Sequence, residues 1–223
     1  MLNSGKILRM VRMLAVPSIV SIAMVLGRFV YVADLRFRFC GLLFNLLLAW
    51  IPMMLAFVIW GIAPARRLLL SVLFVVWVLF FPNAFYIITD LIHDHKFGMD
   101  GVYRWYDILM TACFAVSGMF LGTFALYLLH TLVRERCGRT AGWLFAGAVL
   151  ALSSYGTYLG RVLRLNSWDA LLRPCELLQT ILAGPGSMSE IALFCGGFFL
   201  FSAVVYSFII SATELHEPSR SDA

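Results

Sequence analysis

The sequence predicts an all-α, multi-pass membrane protein, because its composition is strongly apolar and its apolar residues fall into long, nearly uncharged runs. Hydrophobic residues make up 62% of the 223 residues and charged residues 13%, whereas soluble domains carry about 25% charged residues. The mean hydropathy is +0.91. We therefore expect a single transmembrane domain over residues 1–223, without a separate soluble catalytic domain.

Six apolar runs are long enough to cross a bilayer as helices of about 20 residues. The first run follows a basic segment, but it is longer than the apolar part of a signal peptide and lacks a clear cleavage site, so we interpret it as a retained span. Arg28 near its far end is expected to snorkel towards the interface. The predicted spans are residues 13–33, 41–63, 68–89, 107–132, 140–160 and 189–212.

The segment after the fifth run is predicted to lie on the membrane surface instead of forming a seventh span. Residues 163–183 include Arg164, Asp169, Arg173 and Glu176, which would be costly to insert into hydrocarbon. Leucine and isoleucine lie along one side of a short helix within this segment, which is typical of an interfacial helix.

The distribution of basic residues favours a cytoplasmic location for both termini. In that orientation the tight turns around Arg66–Arg67 and Arg134–Arg139 lie inside, and both are basic and nearly free of acidic residues, as the positive-inside rule requires. The basic residues flank apolar runs instead of clustering with aromatic residues on a polar face, so we expect no nucleic-acid binding. The ends of the third and fifth spans then share the outer face.

A polar segment closes the third span. The apolar stretch before Pro82 covers about 21 Å as a helix, less than the ~30 Å core, so the crossing must continue past the proline. We predict a kink or a short unwound step there, with the freed carbonyls satisfied by neighbouring helices. If α-helical spacing resumes, one face carries four predicted ligand-binding residues, which are Asn83, Tyr86, Asp90 and His93.

A second polar stripe closes the fifth span. Polar and cationic residues recur there at steps of three and four, which places them on one side of a helix running from the bilayer interior to its surface. A turn is predicted beyond it. The ligand-binding residues predicted in this half are Arg161, Arg164, Asn166, Trp168 and Asp169. We expect both polar segments to build one pocket on the outer face.

Two glycine pairs fall within the predicted spans. Gly118 and Gly122 are four residues apart in the fourth span, and Gly156 and Gly160 in the fifth. This spacing puts both glycines of a pair on one side of a helix. Each pair is therefore predicted to let another helix approach closely.

The polar segments also carry a resemblance to a known family. The first motif reads Pro82-Asn83-Ala84-x-Tyr86-Ile87-x-Thr89-Asp90-Leu91-x-His93, and Trp105-Tyr106-Asp107 and Tyr158-x-Gly160-Arg161-x-x-Arg164-x-Asn166-Ser167-Trp168-Asp169 follow it. From about Leu68 to the last span, the chain resembles the domain of unknown function 1361 family of bacterial multi-pass membrane proteins. The resemblance implies a bacterial inner-membrane location and implies no activity.

Binding or transport of an anionic lipid-like or small solute ligand is the first of three functions that the predicted site leaves open. Arg161 and Arg164 would hold the anion by charge-assisted hydrogen bonds, while Asp90 and His93 set protonation. The opposing interpretation is that the two arginines form structural ion pairs. The acids available for such pairs are Asp90, Asp107 and Asp169.

A metal-dependent membrane hydrolase or transferase is the second possibility. Asp90 and His93, with His95 or Asp94, offer the carboxylate and imidazole ligands that suit zinc or manganese. Two ligands do not make a site, and His130 belongs to the opposite face of the membrane. The sequence therefore identifies no cofactor, and an Asp–His hydrogen bond that holds a loop explains the pair better than a metal site does.

A structural or assembly subunit is the third possibility, acting in a homo-oligomer or beside another membrane protein. Its support is the glycine-bearing helices and the lack of a complete catalytic constellation. Serine-nucleophile elbows, phosphate-binding loops and dinucleotide fingerprints do not occur in the sequence. Whether the protein is an enzyme is left open by the sequence.

Overall fold

Every regular element in the described chain is helical, which confirms the all-α prediction. The computed structural model describes residues 4–31, 38–62, 67–96, 102–182 and 186–214. Within these ranges the elements are α1 Ser4–Tyr31, α2 Arg38–Ile62, α3 Arg67–Phe80, α4 Pro82–Tyr86, a 3₁₀ helix Ile87–Lys96, α5 Val102–Cys137, α6 Arg139–Val162, α7 Asp169–Leu172, α8 Pro174–Leu182 and α9 Met188–Glu214.

Five helical stretches in these ranges are long and apolar enough to cross a membrane. They correspond to five of the six predicted spans, so the chain is a multi-pass membrane protein. A helix satisfies its backbone polar groups internally, which is why apolar runs of this length adopt it in a bilayer. The stretches are Ile7–Val30, Cys40–Ile62, Leu68–Leu91, Tyr103–Cys137 and Met188–Ala212.

Helix α6 corresponds to the remaining predicted span. Its 24 residues cover about 36 Å, which exceeds the ~30 Å hydrocarbon core. It is less apolar than the other five because Ser153, Ser154, Tyr155 and Thr157 follow one another in its second half. Its crossing of the membrane stays a prediction.

Contacts group the chain into two compact units, residues 1–122 and residues 123–223, with the boundary inside α5. In the first unit, α2 packs against α3, α4 and the 3₁₀ helix. In the second unit, α6 packs against α9, and α7 against α8. The prediction of a single transmembrane domain stays a prediction.

Helix α3 ends just before Pro82, as predicted, and residues on either side of the proline form hydrogen bonds with each other. The Ala84 amide donates to the Phe81 carbonyl at 3.2 Å, three residues back, instead of to the Phe80 carbonyl, its usual α-helical acceptor. The side-chain amide of Asn83 donates to the Phe80 carbonyl at 3.0 Å. Pro82 itself leaves the carbonyl of Val78, four residues back, without its usual donor, and the prediction that neighbouring helices satisfy the freed carbonyls stays a prediction.

The backbone beyond α4 continues as a 3₁₀ helix of ten residues, so the α-helical spacing on which the common polar face depends does not resume. With three residues per turn, Asp90 and His93 occupy equivalent positions, as do Ile87 and Lys96. Tyr86 precedes Asp90 by four residues, so it lies about a third of a turn away from the side of the helix that Asp90 and His93 share. The condition for a common face through all four polar residues is therefore not met, although Asp90 and His93 keep a common register.

Helix α5 packs closely against the break through its two glycines. A Cβ at Gly118 would collide with the Ala84 carbonyl oxygen, and a Cβ at Gly122 would lie 2.7 Å from the Phe85 ring. Phe85 itself is fully buried. The close approach predicted for this glycine pair is confirmed, and its partner is the broken end of the third span.

Candidate functional site

The first half of the predicted site lies at α4 and the 3₁₀ helix, in the first unit. Asn83, Tyr86 and Asp90 are half-buried there. The Asp90 carboxylate accepts a hydrogen bond of 2.9 Å from the Asn45 amide of α2, and the Thr89 hydroxyl donates to the Tyr86 carbonyl at 2.6 Å. The Asn45–Asp90 bond joins the segment to α2, whereas the Thr89 and Asn83 bonds lie within the segment itself.

Arg28 does not extend to the membrane interface as predicted. It is 5% exposed, and its guanidinium forms a two-point ion pair with Asp107, with Nε to Oδ1 at 2.6 Å and Nη2 to Oδ2 at 3.3 Å. The snorkelling prediction was therefore wrong, because a carboxylate from α5 neutralises the cation inside the first unit. Asp107, weighed as a partner for the site arginines, is engaged by Arg28.

The second half of the predicted site lies where α6 ends, in the second unit. The amides of Leu163 and Leu165 both donate to the Leu159 carbonyl, at 3.1 and 3.3 Å. Arg164, between them, has a φ of +57°. This left-handed conformation suits glycine or asparagine and costs other residues about 1 kcal/mol. Within the described chain, Arg164 is the one non-glycine residue with positive φ.

Arg164 also projects an uncompensated charge. Its side chain is exposed, and no described residue forms a hydrogen bond or ion pair with it. Asp169, a predicted partner, instead accepts hydrogen bonds from the Asn166 backbone amide at 2.6 Å and from the Asn166 side chain at 3.3 Å. An ion pair therefore does not account for Arg164 within the described residues.

The predicted turn and short helix follow α6. The Asp169 amide donates to the Asn166 carbonyl at 2.9 Å, which closes the turn, and Trp168 is half-buried beside it. Helix α8 has no buried residue, and its Leu178 and Leu182 are 56% and 76% exposed. The short helix is confirmed, and its location on the membrane surface stays a prediction.

Comparison with known families agrees with the two motifs. The family model described as "Protein of unknown function (DUF1361)" matches residues 44–207, which is 164 of the 223 residues. Both polar segments lie inside the match. The chain belongs to this family.

The family match begins earlier than the resemblance suggested, within α2, and ends near the end of α9. No curated protein matches the chain, and no solved structure does. The family's description names no activity, so the function of this DUF1361 protein must be argued from its own residues.

The two halves of the predicted site belong to different units of the DUF1361 chain. Asn83, Tyr86 and Asp90 lie in the first unit, and residues 161–169 lie in the second. Arg161 is in the last turn of α6, and Arg164 lies beyond the helix end. A single pocket formed by both halves stays a prediction.

Some of the candidate metal ligands lie within the described residues and others do not. Within the described ranges, no group of three His, Cys, Asp or Glu side chains lies close enough to hold a metal ion. Asp90 contacts Asn45, as described above. The side chains of His93, Asp94 and His95 lie outside the described residues, so the metal-dependent alternative stays a prediction.

The second unit contains a buried polar cluster that the sequence analysis did not select. His130 Nδ1 and the Tyr206 hydroxyl are 2.6 Å apart, and these residues are 3% and 1% exposed. Trp143 meets the His130 ring edge-on, with centroids 4.9 Å apart. A Cβ at Gly142 would lie 2.7 Å from that ring. The sequence feature that could have identified this cluster is a histidine within an apolar run, because an imidazole at membrane depth needs a hydrogen-bond partner.

Proposed function

We propose that this integral membrane protein binds an anionic headgroup or small solute at the end of α6, as a binding or transport protein. The observation that carries the proposal is Arg164. Its backbone has a left-handed conformation, and its guanidinium has no partner among the described residues. Residues in such conformations persist where the surrounding structure holds them, and they cluster at binding sites.

The charge at the end of α6 supports an anion. Arg161 lies one turn before Arg164, and the two guanidiniums offer planar donor groups of the kind that bind phosphate or carboxylate at two points. Asp169 accepts its hydrogen bonds from Asn166 and forms no ion pair with Arg164 among the described residues. The shared chemistry of the ligand is a phosphate or carboxylate group.

The apolar surface of the helices that follow the arginines in the chain supports a lipid-like ligand. The exposed leucines of α8 and Leu172, which is 75% exposed, would otherwise contact water. Burial of a leucine side chain is favourable by about 1.5–3 kcal/mol. An interfacial position for α8 would bury these leucines in the bilayer and bring Arg164 to headgroup level.

Replacement of Arg164 by asparagine is expected to weaken anion binding about 10- to 100-fold. Loss of a hydrogen bond to a charged group costs about 1.5–3 kcal/mol, while asparagine tolerates the left-handed conformation, so the helix end keeps its structure. Native mass spectrometry of protein in detergent doped with phosphatidylglycerol would measure retention of the lipid. Titration with inorganic phosphate would test whether the anion alone suffices.

The matched control is Arg173→Gln, which removes the same charge from an exposed residue that pairs with Glu176 at 3.6 Å. That variant should retain phosphatidylglycerol like the wild type. Equal retention by Arg164→Asn and the wild type, with neutral phosphatidylcholine bound as well as phosphatidylglycerol, would refute the anion site.

We also propose that the protein lies in a bacterial inner membrane with both termini in the cytoplasm. The basic turns around Arg66–Arg67 and Arg134–Arg139 support this orientation. A green fluorescent protein fused to the C-terminus should fluoresce, and an alkaline phosphatase fused there should be inactive. The reverse pattern would overturn the orientation.

A further inference from the structure

Three buried hydroxyl groups of the second unit lack a hydrogen-bond partner among the described residues. They belong to Thr123 of α5 and to Ser153 and Thr157 of α6. Thr123 and Thr157 are fully buried, and Ser153 is 3% exposed. Buried polar groups in proteins are nearly always hydrogen-bonded, so three together call for a partner.

These hydroxyls forgo a bond that is available to any serine or threonine within a helix. Such a side chain can donate to the carbonyl four residues earlier, and Ser154 does so to Leu150 at 2.8 Å. Thr111 makes the same bond to Asp107 at 3.0 Å. Thr123, Ser153 and Thr157 make no such bond.

The contact at Gly142 fixes the level at which α5 and α6 face each other. A Cβ there would lie 3.1 Å from the Arg134 Cβ, and the helices run in opposite directions because only Gly138 separates them. Thr123 is eleven residues before Arg134, and Ser153 is eleven residues after Gly142. Eleven residues are about three full turns, so Thr123 and Ser153 lie at one level on the facing sides of the two helices.

Thr157 extends the same side of α6. It is four residues after Ser153, which places it one turn further along that side. Neither hydroxyl has a hydrogen-bond partner among the described residues, and a bridging water is the usual link between polar groups that are too far apart to bond directly. By this helix register, the three hydroxyls lie along one side of the contact between α5 and α6.

We propose that Thr123, Ser153 and Thr157 form a buried hydration site in which ordered water bridges α5 and α6. A buried water typically makes about three hydrogen bonds to otherwise unsatisfied groups, which matches the three hydroxyls. A divalent cation does not fit, because such ions need carboxylates or carbonyls and the three hydroxyls carry no charge. This site is separate from the arginines at the end of α6 and does not depend on them.

The site can be tested with the variants Thr123→Val and Thr157→Val, because a rise or a fall in the thermal unfolding midpoint distinguishes an empty site from a hydrated one. Valine keeps the shape of threonine and removes the hydroxyl, so each variant should lower the thermal unfolding midpoint by about 2–4 °C by taking a partner from the water. Ser154→Ala is the control, because its hydroxyl bonds within its own helix. If no water is present, each valine removes an unsatisfied group and the midpoint should rise.

Magnetisation transfer from water to threonine methyl groups provides a direct measurement on the wild-type protein in detergent. The methyls of Thr123 and Thr157 should receive it from a long-lived water, and the methyl of Thr111, a buried residue with a satisfied hydroxyl, should not. This result would support the site even if the valine variants do not fold. No transfer to Thr123 and Thr157 would overturn it, as would a raised midpoint in both variants.

Discussion

Replacement of Asp107 by leucine is expected to lower the free energy of unfolding by about 3–5 kcal/mol, because it removes the carboxylate that the buried Arg28 guanidinium contacts at two points. The side chains of the pair are 6% and 18% exposed, so water can do little to replace the lost carboxylate. Unfolding by sodium dodecyl sulfate, followed by tryptophan fluorescence, would measure the loss.

The double variant Arg28→Met/Asp107→Leu is expected to recover most of this loss. Apolar residues of similar volume often replace a buried ion pair at little cost, or with a gain. The exposed pair Arg173 and Glu176 is the control, and Glu176→Gln should cost less than about 1 kcal/mol. If Asp107→Leu lowers the free energy of unfolding no more than Glu176→Gln does, the buried ion pair does not contribute to stability as we predict.

Replacement of Gly118 by alanine is expected to destabilise the protein by about 1–3 kcal/mol. The added Cβ would collide with the Ala84 carbonyl oxygen, and the Ile87 side chain lies 3.0 Å from the same position. Because a backbone atom is the obstacle, the collision can be relieved only by moving α5 away from the break. The same unfolding measurement applies.

Gly147→Ala is the matched control, because nothing lies within 4 Å of a Cβ built there. Alanine favours a helix over glycine by up to about 1 kcal/mol, so this variant should be as stable as the wild type or more stable. Opposite signs for the two variants would confirm the close packing at Gly118. A stabilising effect of Gly118→Ala would contradict it.

The spans were predictable because an apolar run in a bilayer has few alternatives to a helix. The predicted spans 41–63 and 189–212 agree closely with Cys40–Ile62 and Met188–Ala212. The ends are less predictable, since helices continue into the polar region beyond the hydrocarbon. Helix α5 runs from Val102 to Cys137, whereas its apolar pattern alone indicates 107–132.

The details of the candidate site were less predictable, since they depend on geometry that periodicity assumes. The line through Asn83 and Asp90 presupposes α-helical spacing, and the 3₁₀ helix alters it. The left-handed conformation of Arg164 depends on how the chain leaves α6. The partner of Arg28 lies 79 residues away, and hydropathy gives no information about which helices meet.

The distance in sequence between Arg28 and Asp107 has a consequence for biosynthesis. A ribosome adds about 5–20 residues per second, so the carboxylate emerges roughly 4–16 seconds after the guanidinium that it neutralises. During that interval the first helix reaches the membrane before Asp107 is available to Arg28, and extension of the Arg28 side chain towards the lipid headgroups would solvate its charge. The pairing seen in the folded protein is therefore a late event, and the nascent first helix must be tolerated by the membrane before its counter-ion has been synthesised.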